Sequence, residues 1–336
     1  MGGLRLAVAV EKLPFSAPFR IAGRVFEHQD AVVVTLDDGA HRGRGEASGV
    51  FYLDDDVPRA AAAIEAQRAV IERGIDREAL QRLLPRGGAR NALDCALWEL
   101  EAERAGRPVW ALAGLKPPRQ LTTTFTLGAD TPESMAAGAR RYAAARALKL
   151  KLTGEPELDA ARVRAVRAVR PDVWLGVDAN QAYGIAELPR LLAVLVEARV
   201  ELLEQPLARG READLEGCDS PIPIAADESA LGLNDIAGLV GRFDTVNIKL
   251  DKCGGLTEGL AMAHEARRAG LDVMVGNMMG SSWAMAPAFV LGQLCDVVDL
   301  DGPTFLARDR TPAVRYAGGM IWCDETVWGG PSRRAA

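Results

Sequence analysis

Residues 147–180 read "ALKLKLTGEPELDAARVRAVRAVRPDVWLGVDAN". A short aliphatic run, a charged stretch and a second aliphatic run follow one another. The first run carries Lys149 and Lys151 on alternate positions. A strand turns successive side chains to opposite faces, so both ammonium groups share one face and the leucines take the other. Burying lysine is costly unless something uses it, and what uses this face must come from the rest of the sequence. "EPELDAARVRAVRAVR" has helical apolar spacing, and "VWLGVDAN" reads as a buried strand ending near Asp178. The stretch is one strand–helix–strand unit.

The same alternation extends in both directions. Upstream, "LTTTFTLG" precedes the helix "TPESMAAGARRYAAARA", whose Thr-x-x-Ser opening is a cap signal. Downstream, "VELLEQP", "IPIAADES", "DTVNIKL", "LDVMVGN" and "DVVDLDGP" are strands. Between them lie the helical patterns "IAELPRLLAVLVEA", "LNDIAGLVGR", "GLTEGLAMAHEARRAG" and "SSWAMAPAFVLGQL", with a short helix near "READLEG". Eight strands with seven intervening helices imply right-handed βαβ units closing into an α/β barrel. A doubly wound open sheet would share the alternation, but no strand is followed by a GxGxxG turn. The barrel is the better reading.

The chain before about residue 112 is organised differently. "LRLAVAVEKL" and "DAVVVTLDDGAHRGRGEA" read as strands, the latter folding back across Asp37-Asp38-Gly39. Two helices follow, "PRAAAAIEAQRAVIERG" and "GARNALDCALWELEAERAG", each closing on glycine. Strands first and helices after indicate a separate α+β unit.

Composition bounds the function. The chain has 336 residues, 49% apolar and 26% charged, with a net charge of −6. Neither a nucleic-acid partner nor a polybasic membrane surface is expected. Apolar runs such as "AMAPAFVLG" are too short to span a bilayer, and "MGGLRLAVAVEKLPF" reads as a first strand rather than a signal peptide. Five scattered cysteines (Cys95, Cys218, Cys253, Cys295, Cys323) without a CxxC pair suggest reduced thiols and a cytoplasmic protein.

Polar groups sit at nearly every strand end: Lys149 and Lys151, then Asp178, Glu204, Asp227, Lys249, Asn277, and Asp299 with Asp301. In a barrel these ends converge on one mouth, the usual place for an active site. Any one carboxylate could cap the next helix. Asp178, Glu204 and Asp227, from three successive strands, would repel one another unless a cation lies between them. All-oxygen ligands suit Mg²⁺, or Mn²⁺ as its substitute, over zinc. Lys151 and Lys249 flank these carboxylates from opposite sides of the ring. Two bases facing one carbon are what a 1,1-proton transfer needs, provided each lysine pKa falls towards neutrality. Lys149 and the metal are sources of the positive charge that lowers it, although Lys149 also suits an ion pair with a neighbouring carboxylate. His28, His41 and His264 occupy no strand end and read as surface or packing residues, which argues against a Ser–His–Asp triad.

These motifs resemble the enolase superfamily, in its muconate-lactonizing-enzyme-like subgroup. The matching residues are "KLK" at 149–151, "VDAN" at 177–180, "EQP" at 204–206, "ADES" at 226–229 and "NIKLDKCGG" at 247–255. "DLDGP" at 299–303 is similar to the DxD motif of dipeptide epimerases. The resemblance implies a (β/α)₇β barrel over about residues 113–309. An α+β capping domain from residues 1–112 would be completed by about 310–336. It implies Mg²⁺ on Asp178, Glu204 and Asp227, stabilising an enediolate, with Lys151 and Lys249 as the acid/base pair. Lys149 and Asn180 are supporting residues. Asp299 and Asp301 would hold the α-ammonium of a small-molecule dipeptide, beside Asn277 and Met278. Lys252 falls past the strand end and is expected at the surface.

The expected reaction is epimerisation of the C-terminal residue of a dipeptide. N-acylamino acid racemase, o-succinylbenzoate synthase and muconate cycloisomerase remain alternatives with the same metal and lysines. A non-catalytic barrel serving as scaffold or metal store is a further one. Homo-oligomers are common in the family. Specificity is expected from cap loops near Arg20–His28 and Ser48–Asp56. There Arg24 hints at an acidic side chain, Asp54, Asp55 and Asp56 at a cationic one or a solvated helix cap, and Phe51 and Tyr52 at an apolar one.

Overall fold

The computed structural model describes residues 3–21 and 24–331. Its first layer is an antiparallel sheet of β1 (Arg5–Ile21), β2 (Arg24–Asp37) and β3 (Arg42–Ala47), in that order. Asp38 makes the β2–β3 turn, its Oδ1 accepting the Ala40 and His41 N–H groups at 3.0 and 2.8 Å. Alternation along β2 sends Val32, Val34 and Leu36 to one face, where they pack on helices α1 (Val57–Ala66) and α2 (Gly88–Ala105). The "GRGEA" stretch has a steric purpose. A Cβ on Gly43 or Gly45 would fall 1.9 Å from the Ala96 or Ala92 carbonyl oxygen, so only glycine lets α2 lie directly on β3. The described parts of the segment expected as a loop, Arg20–Ile21 and Arg24–His28, are instead strand residues of the long β1–β2 pair, with Arg20 opposite Val25. Both strands outrun the apolar stretches that announce them, because backbone pairing continues past the buried face.

The second layer is the barrel. After β4 (Leu121–Thr122) come β5 (Thr124–Leu127), β6 (Ala147–Lys151), β7 (Trp174–Asp178), β8 (Leu202–Glu204), β9 (Ile224–Ala226), β10 (Thr245–Ile248), β11 (Asp272–Val275) and β12 (Val297–Val298). β5 to β12 neighbour one another in chain order, all parallel. Helices α3 (Pro132–Arg141), α4 (Pro156–Val169), α5 (Leu188–Glu197), α6 (Leu256–Arg268) and α7 (Ser282–Gly292) cover the outside. Thr131 caps α3, its side chain accepting the Ser134 N–H at 3.2 Å. Two expected helices shrink: "READLEG" supplies only a 3₁₀ turn at Glu212–Leu215, and "LNDIAGLVGR" a 3₁₀ turn followed by four helical residues, Ile236–Leu239.

Period-2 alternation sorts the barrel residues. Leu148, Leu150, Val177, Leu203 and Ile248 point outwards into the core beneath the helices. Each such aliphatic side chain contributes roughly 1.5–3 kcal/mol when fully buried. Trp174, Leu202, Ala225, Met274 and Val297 point inwards and plug the barrel's lower end. The ionisable residues take the inward positions above them. Side chains close the gap between first and last strand: Leu300 N–H donates to Thr123 Oγ1 (2.9 Å), Thr124 Oγ1 to Asp299 Oδ1 (2.5 Å) and Thr126 N–H to Asp301 Oδ2 (2.6 Å). The threonine-rich "LTTTFT" and the acidic "DLD" are thus partners across one seam.

The chain end ties the layers together. β14 (Met320–Trp322) pairs with β4, and β13 (Arg315–Ala317) with β14. Beyond them, Trp328 Nε1–H donates to the Arg44 carbonyl at 2.8 Å and Gly329 N–H to Glu99 Oε1 at 3.1 Å. All five cysteines are free thiols. Among the described residues no helix is long and apolar enough to cross a membrane.

Candidate active site

Strand register sets the site. Lys151 lies opposite Asp178, and Asp178 opposite Glu204, so three ionisable residues stand in one row across β6, β7 and β8. Asp227 follows β9 directly and completes the group. Carboxylate oxygens of Asp178, Glu204 and Asp227 lie within 4.8 Å of one another, and all three residues are buried. Burial and the nearby Asp178 carboxylate push Glu204 up, the signature of anions crowded together without enough positive charge. The all-oxygen donor set and this crowding fit a hard divalent cation.

Four lysines surround the group. Lys151 Nζ donates to Asp178 Oδ2 at 2.5 Å, and Lys249 Nζ to Asp227 Oδ2 at 2.6 Å. They approach from opposite sides, with β7, β8 and β9 between them. A Cβ on Gly276 would fall 3.0 Å from Lys249 Cε, so the glycine on β11's far edge leaves room for that side chain. Lys149, one pleat deeper, reaches Glu204 Oε2 at 3.2 Å and pairs closely with Asp299. Burial works against the ammonium groups of Lys149 and Lys249. The carboxylates outweigh it, Asp299 and Glu204 for the first, Asp227 and Glu204 for the second, and raise both pKa values. For Lys249 the expected fall towards neutrality is therefore not met, because it serves as a counter-ion to Asp227 and Glu204.

Lys252 is a correction. Expected at the surface, its side chain is 0% exposed. Its Nζ donates to Asp227 Oδ1 (2.6 Å), the Asp227 carbonyl (2.5 Å) and the Asn247 carbonyl (3.0 Å). The residue lies three positions past Lys249, on the helical turn Leu250–Cys253, which curls it back beneath Asp227. Burial opposes ionisation of Asp227, yet Lys249 and Lys252 together hold its carboxyl low.

A cavity of about 530 Å³ opens above this group, roofed by the cap. Lys149, Lys151, Lys249, Asn180, Asn277, Met278, Asp299 and Asp301 all line it. The two aspartates differ. Asp299 has both oxygens engaged, Oδ1 by Thr124 and Oδ2 by Lys149. Asp301 is bonded by Thr126, whose N–H donates to Oδ2 and whose side chain adds a second bond, and burial with Asp299 nearby pushes its carboxyl up. Asn277 spends its amide on local shape, donating to the Asp299 carbonyl and accepting the Met279 N–H. Asn180 gives its N–H to Asp178 Oδ1 at 2.9 Å, while its own buried Oδ1 has no hydrogen-bond partner among the described residues.

On the cap side, Phe51 and Tyr52 line the cavity, their rings 5.3 Å apart. The Tyr52 hydroxyl is buried without a hydrogen-bond partner, kept protonated by burial and by the Asp227 and Glu228 carboxylates. Asp56 caps α1, accepting the Arg59 N–H at 2.8 Å, and Asp54 is 95% exposed, as a solvated cap requires. Asp55 turns inwards to the Gly88 N–H at 2.7 Å. Arg24 heads β2, but its side chain lies outside the described residues. Several residues went unnoticed in the sequence. Glu228, buried and lining the cavity, follows a metal-type carboxylate and had been read only as part of "ADES". Asn247 Nδ2 donates to Glu204 Oε1 at 2.7 Å, and period-2 alternation with Lys249 was its signal. His28, read as surface or packing, lines the cavity 3.4 Å from Asp30.

Comparison with known proteins places this geometry in context. Residues 5–114 match the model of the mandelate racemase/muconate lactonizing enzyme N-terminal domain, and residues 134–324 match that of the enolase C-terminal domain-like family. A relative from Escherichia coli strain K12, an L-Ala-D/L-Glu epimerase, is 39% identical over 93% of this chain and 97% of its own. An enolase family member from Agrobacterium tumefaciens with homology to dipeptide epimerases, bound to sodium and L-Ala-L-Glu, superposes with a TM-score of 0.92. It is 37% identical and covers 97% of this chain and 100% of its own. The dipeptide epimerase from Methylococcus capsulatus, complexed with Mg and L-Arg-D-Lys, gives 0.89 at 33% identity, covering 96% and 97%.

Proposed function

The chain belongs to the mandelate racemase/muconate lactonizing enzyme family of the enolase superfamily and is an isomerase, and on that premise we propose that it epimerises the C-terminal residue of a dipeptide. The observation that carries this reading is the opposed pair of Lys151 on Asp178 and Lys249 on Asp227, facing each other across the carboxylate group. Asp178, Glu204 and Asp227 would hold Mg²⁺, or Mn²⁺ in its place, which supplies positive charge for the substrate's α-carboxylate.

The chain's own residues do the rest. Asp301, which lines the cavity and has no ion-pair partner among the described residues, takes the α-ammonium. One lysine, in its neutral form, removes the α-proton, and the C–H electron pair moves into the carboxylate to give an enediolate. The other lysine, protonated, returns a proton to the opposite face. Configuration inverts, and the two lysines exchange protonation states over the turnover. Lys149 places positive charge beside Lys151 and bridges Asp299 and Glu204 as their shared counter-ion.

The preferred substrate we propose is Ala-Glu-like. Two similar proteins support this: the Escherichia coli relative by its name, and the Agrobacterium structure by its bound L-Ala-L-Glu. The cation at Arg24 suits an acidic side chain. The test is an L-Ala-L-Xaa library with Mg²⁺ in ²H₂O. Epimerisation with deuterium entering the C-terminal α-position is expected, with L-Ala-L-Glu among the best substrates. No turnover across the library would sink the reading. Asp301→Asn separates it from N-acylamino acid racemisation: it should raise KM for the dipeptide by roughly tenfold to a hundredfold, the loss of a charge-assisted hydrogen bond, and spare an N-acetylated substrate.

A further inference from the structure

The turn after Lys249 fastens the two layers of the molecule together. From α2, Arg90 donates to the Cys253 and Gly254 carbonyls at 2.6 and 3.3 Å, and Asp94 accepts the Thr257 N–H at 2.9 Å. From the other side, Asp251 Oδ1 accepts two backbone N–H groups of the cap, Ser48 at 2.8 Å and Gly49 at 3.0 Å. Asn91 of α2 bonds the same carboxylate. Asp251 is 5% exposed and stands behind the cavity wall, whereas Ser48 and Gly49 line the cavity and lead into Phe51 and Tyr52. Elsewhere this loop is held within the cap, by Val50 N–H on the Asp55 carbonyl (2.8 Å) and Gly88 N–H on the Asp55 carboxylate (2.7 Å). The Ser48 hydroxyl adds one bond to the Met279 carbonyl at 3.2 Å.

We infer that Asp251 is a positioning residue for substrate selection. It fixes where the loop of Ser48 to Leu53 stands above the barrel, and so which C-terminal side chains fit beneath Phe51 and Tyr52. The neighbouring positions explain why the tether is placed here. Lys249, Asp251 and Lys252 share one turn and point three ways: to the cavity, to the cap and beneath Asp227. A shift of the cap loop therefore moves against the same rigid turn that carries the proton-transfer lysine. The substrate it selects rests on the dipeptide reading above; the tether itself does not.

Because both N–H groups converge on Oδ1, an amide oxygen can replace it. Asp251→Asn should retain function, and Asp251→Ala should not. With L-Ala-L-Glu, the Ala variant is expected to raise KM roughly tenfold or more for two lost hydrogen bonds, with kcat changed less than about threefold. It should also narrow the kcat/KM ratio between L-Ala-L-Glu and L-Ala-L-Leu, which a purely structural loss would lower together. The Asn variant should stay within about threefold of wild type in both. Amide hydrogen exchange of Ser48 and Gly49 should accelerate in the Ala variant while that of β6 to β10 does not. Should the Ala variant fail to fold, Asp251→Ser, whose hydroxyl is too short to reach, is read the same way. Unchanged KM and selectivity with faster exchange would overturn the role in selection, as would an Asn variant as impaired as Ala. Unaccelerated exchange would overturn the tether whatever the substrate proves to be. Absence of dipeptide turnover in the wild type would instead overturn the proposed reaction.

Discussion

Asp227 is held by two ammonium groups, one on each carboxylate oxygen, and they are not equivalent. Lys249 faces the cavity; Lys252 is sealed beneath and has no route to substrate. Its removal leaves a buried carboxylate short of a partner, so Lys252→Met should destabilise the protein by about 3–5 kcal/mol, read by urea denaturation. A loss under about 1 kcal/mol would mean Asp227 is compensated by other groups. The carboxylates and Lys151 were legible in the sequence, because a period of two fixes which residues of a strand share a face. Lys252 was not, since its place depends on the helical turn that follows the strand. The unequal roles of Asp299 and Asp301 were equally invisible, being set by Lys149 and Thr124 from distant segments.

At the scale of elements, the barrel seam depends on side chains. Thr123→Val keeps the shape but leaves the Leu300 N–H unpaired, and should cost about 1–3 kcal/mol in chemical denaturation. The turn bearing Asp251 gives a pH signature. Burial pushes this carboxyl up to about 7, against the pull of the Ser48 and Gly49 N–H groups. A raised folded pKa contributes stability that is complete below the unfolded value near 4 and is lost as pH rises through about 7. Asp251→Asn lacks this loss while keeping both hydrogen bonds. Thermal denaturation should therefore favour the Asn variant increasingly from pH 5 to 8; a constant difference would contradict it. Element types were legible from apolar spacing. Lengths were less so: the β1–β2 hairpin outruns its apolar runs, and the connections after β8 and β9 form only short helical turns.

Across the whole molecule, cap and barrel share one cavity, and the carboxylate group whose geometry fits a cation lies at its floor. Mg²⁺ that binds only the folded protein should stabilise it by about 2.7 kcal/mol at a hundredfold excess over its Kd, and chelation should reverse this. No thermal shift would contradict the assignment of Asp178, Glu204 and Asp227. Strand–helix alternation announced the barrel, whereas the contacts that seat the cap came from residues scattered in sequence, among them Arg90, Asp94 and Asp251.

The most direct test of the two-lysine mechanism is proton NMR of L-Ala-L-Glu in ²H₂O with Mg²⁺ and the Lys151→Ala or Lys249→Ala variant. Both variants should lose epimerisation, while each retains α-proton exchange for at most one configuration of the C-terminal residue, and a different one in the two variants. Full epimerisation by either would contradict the account.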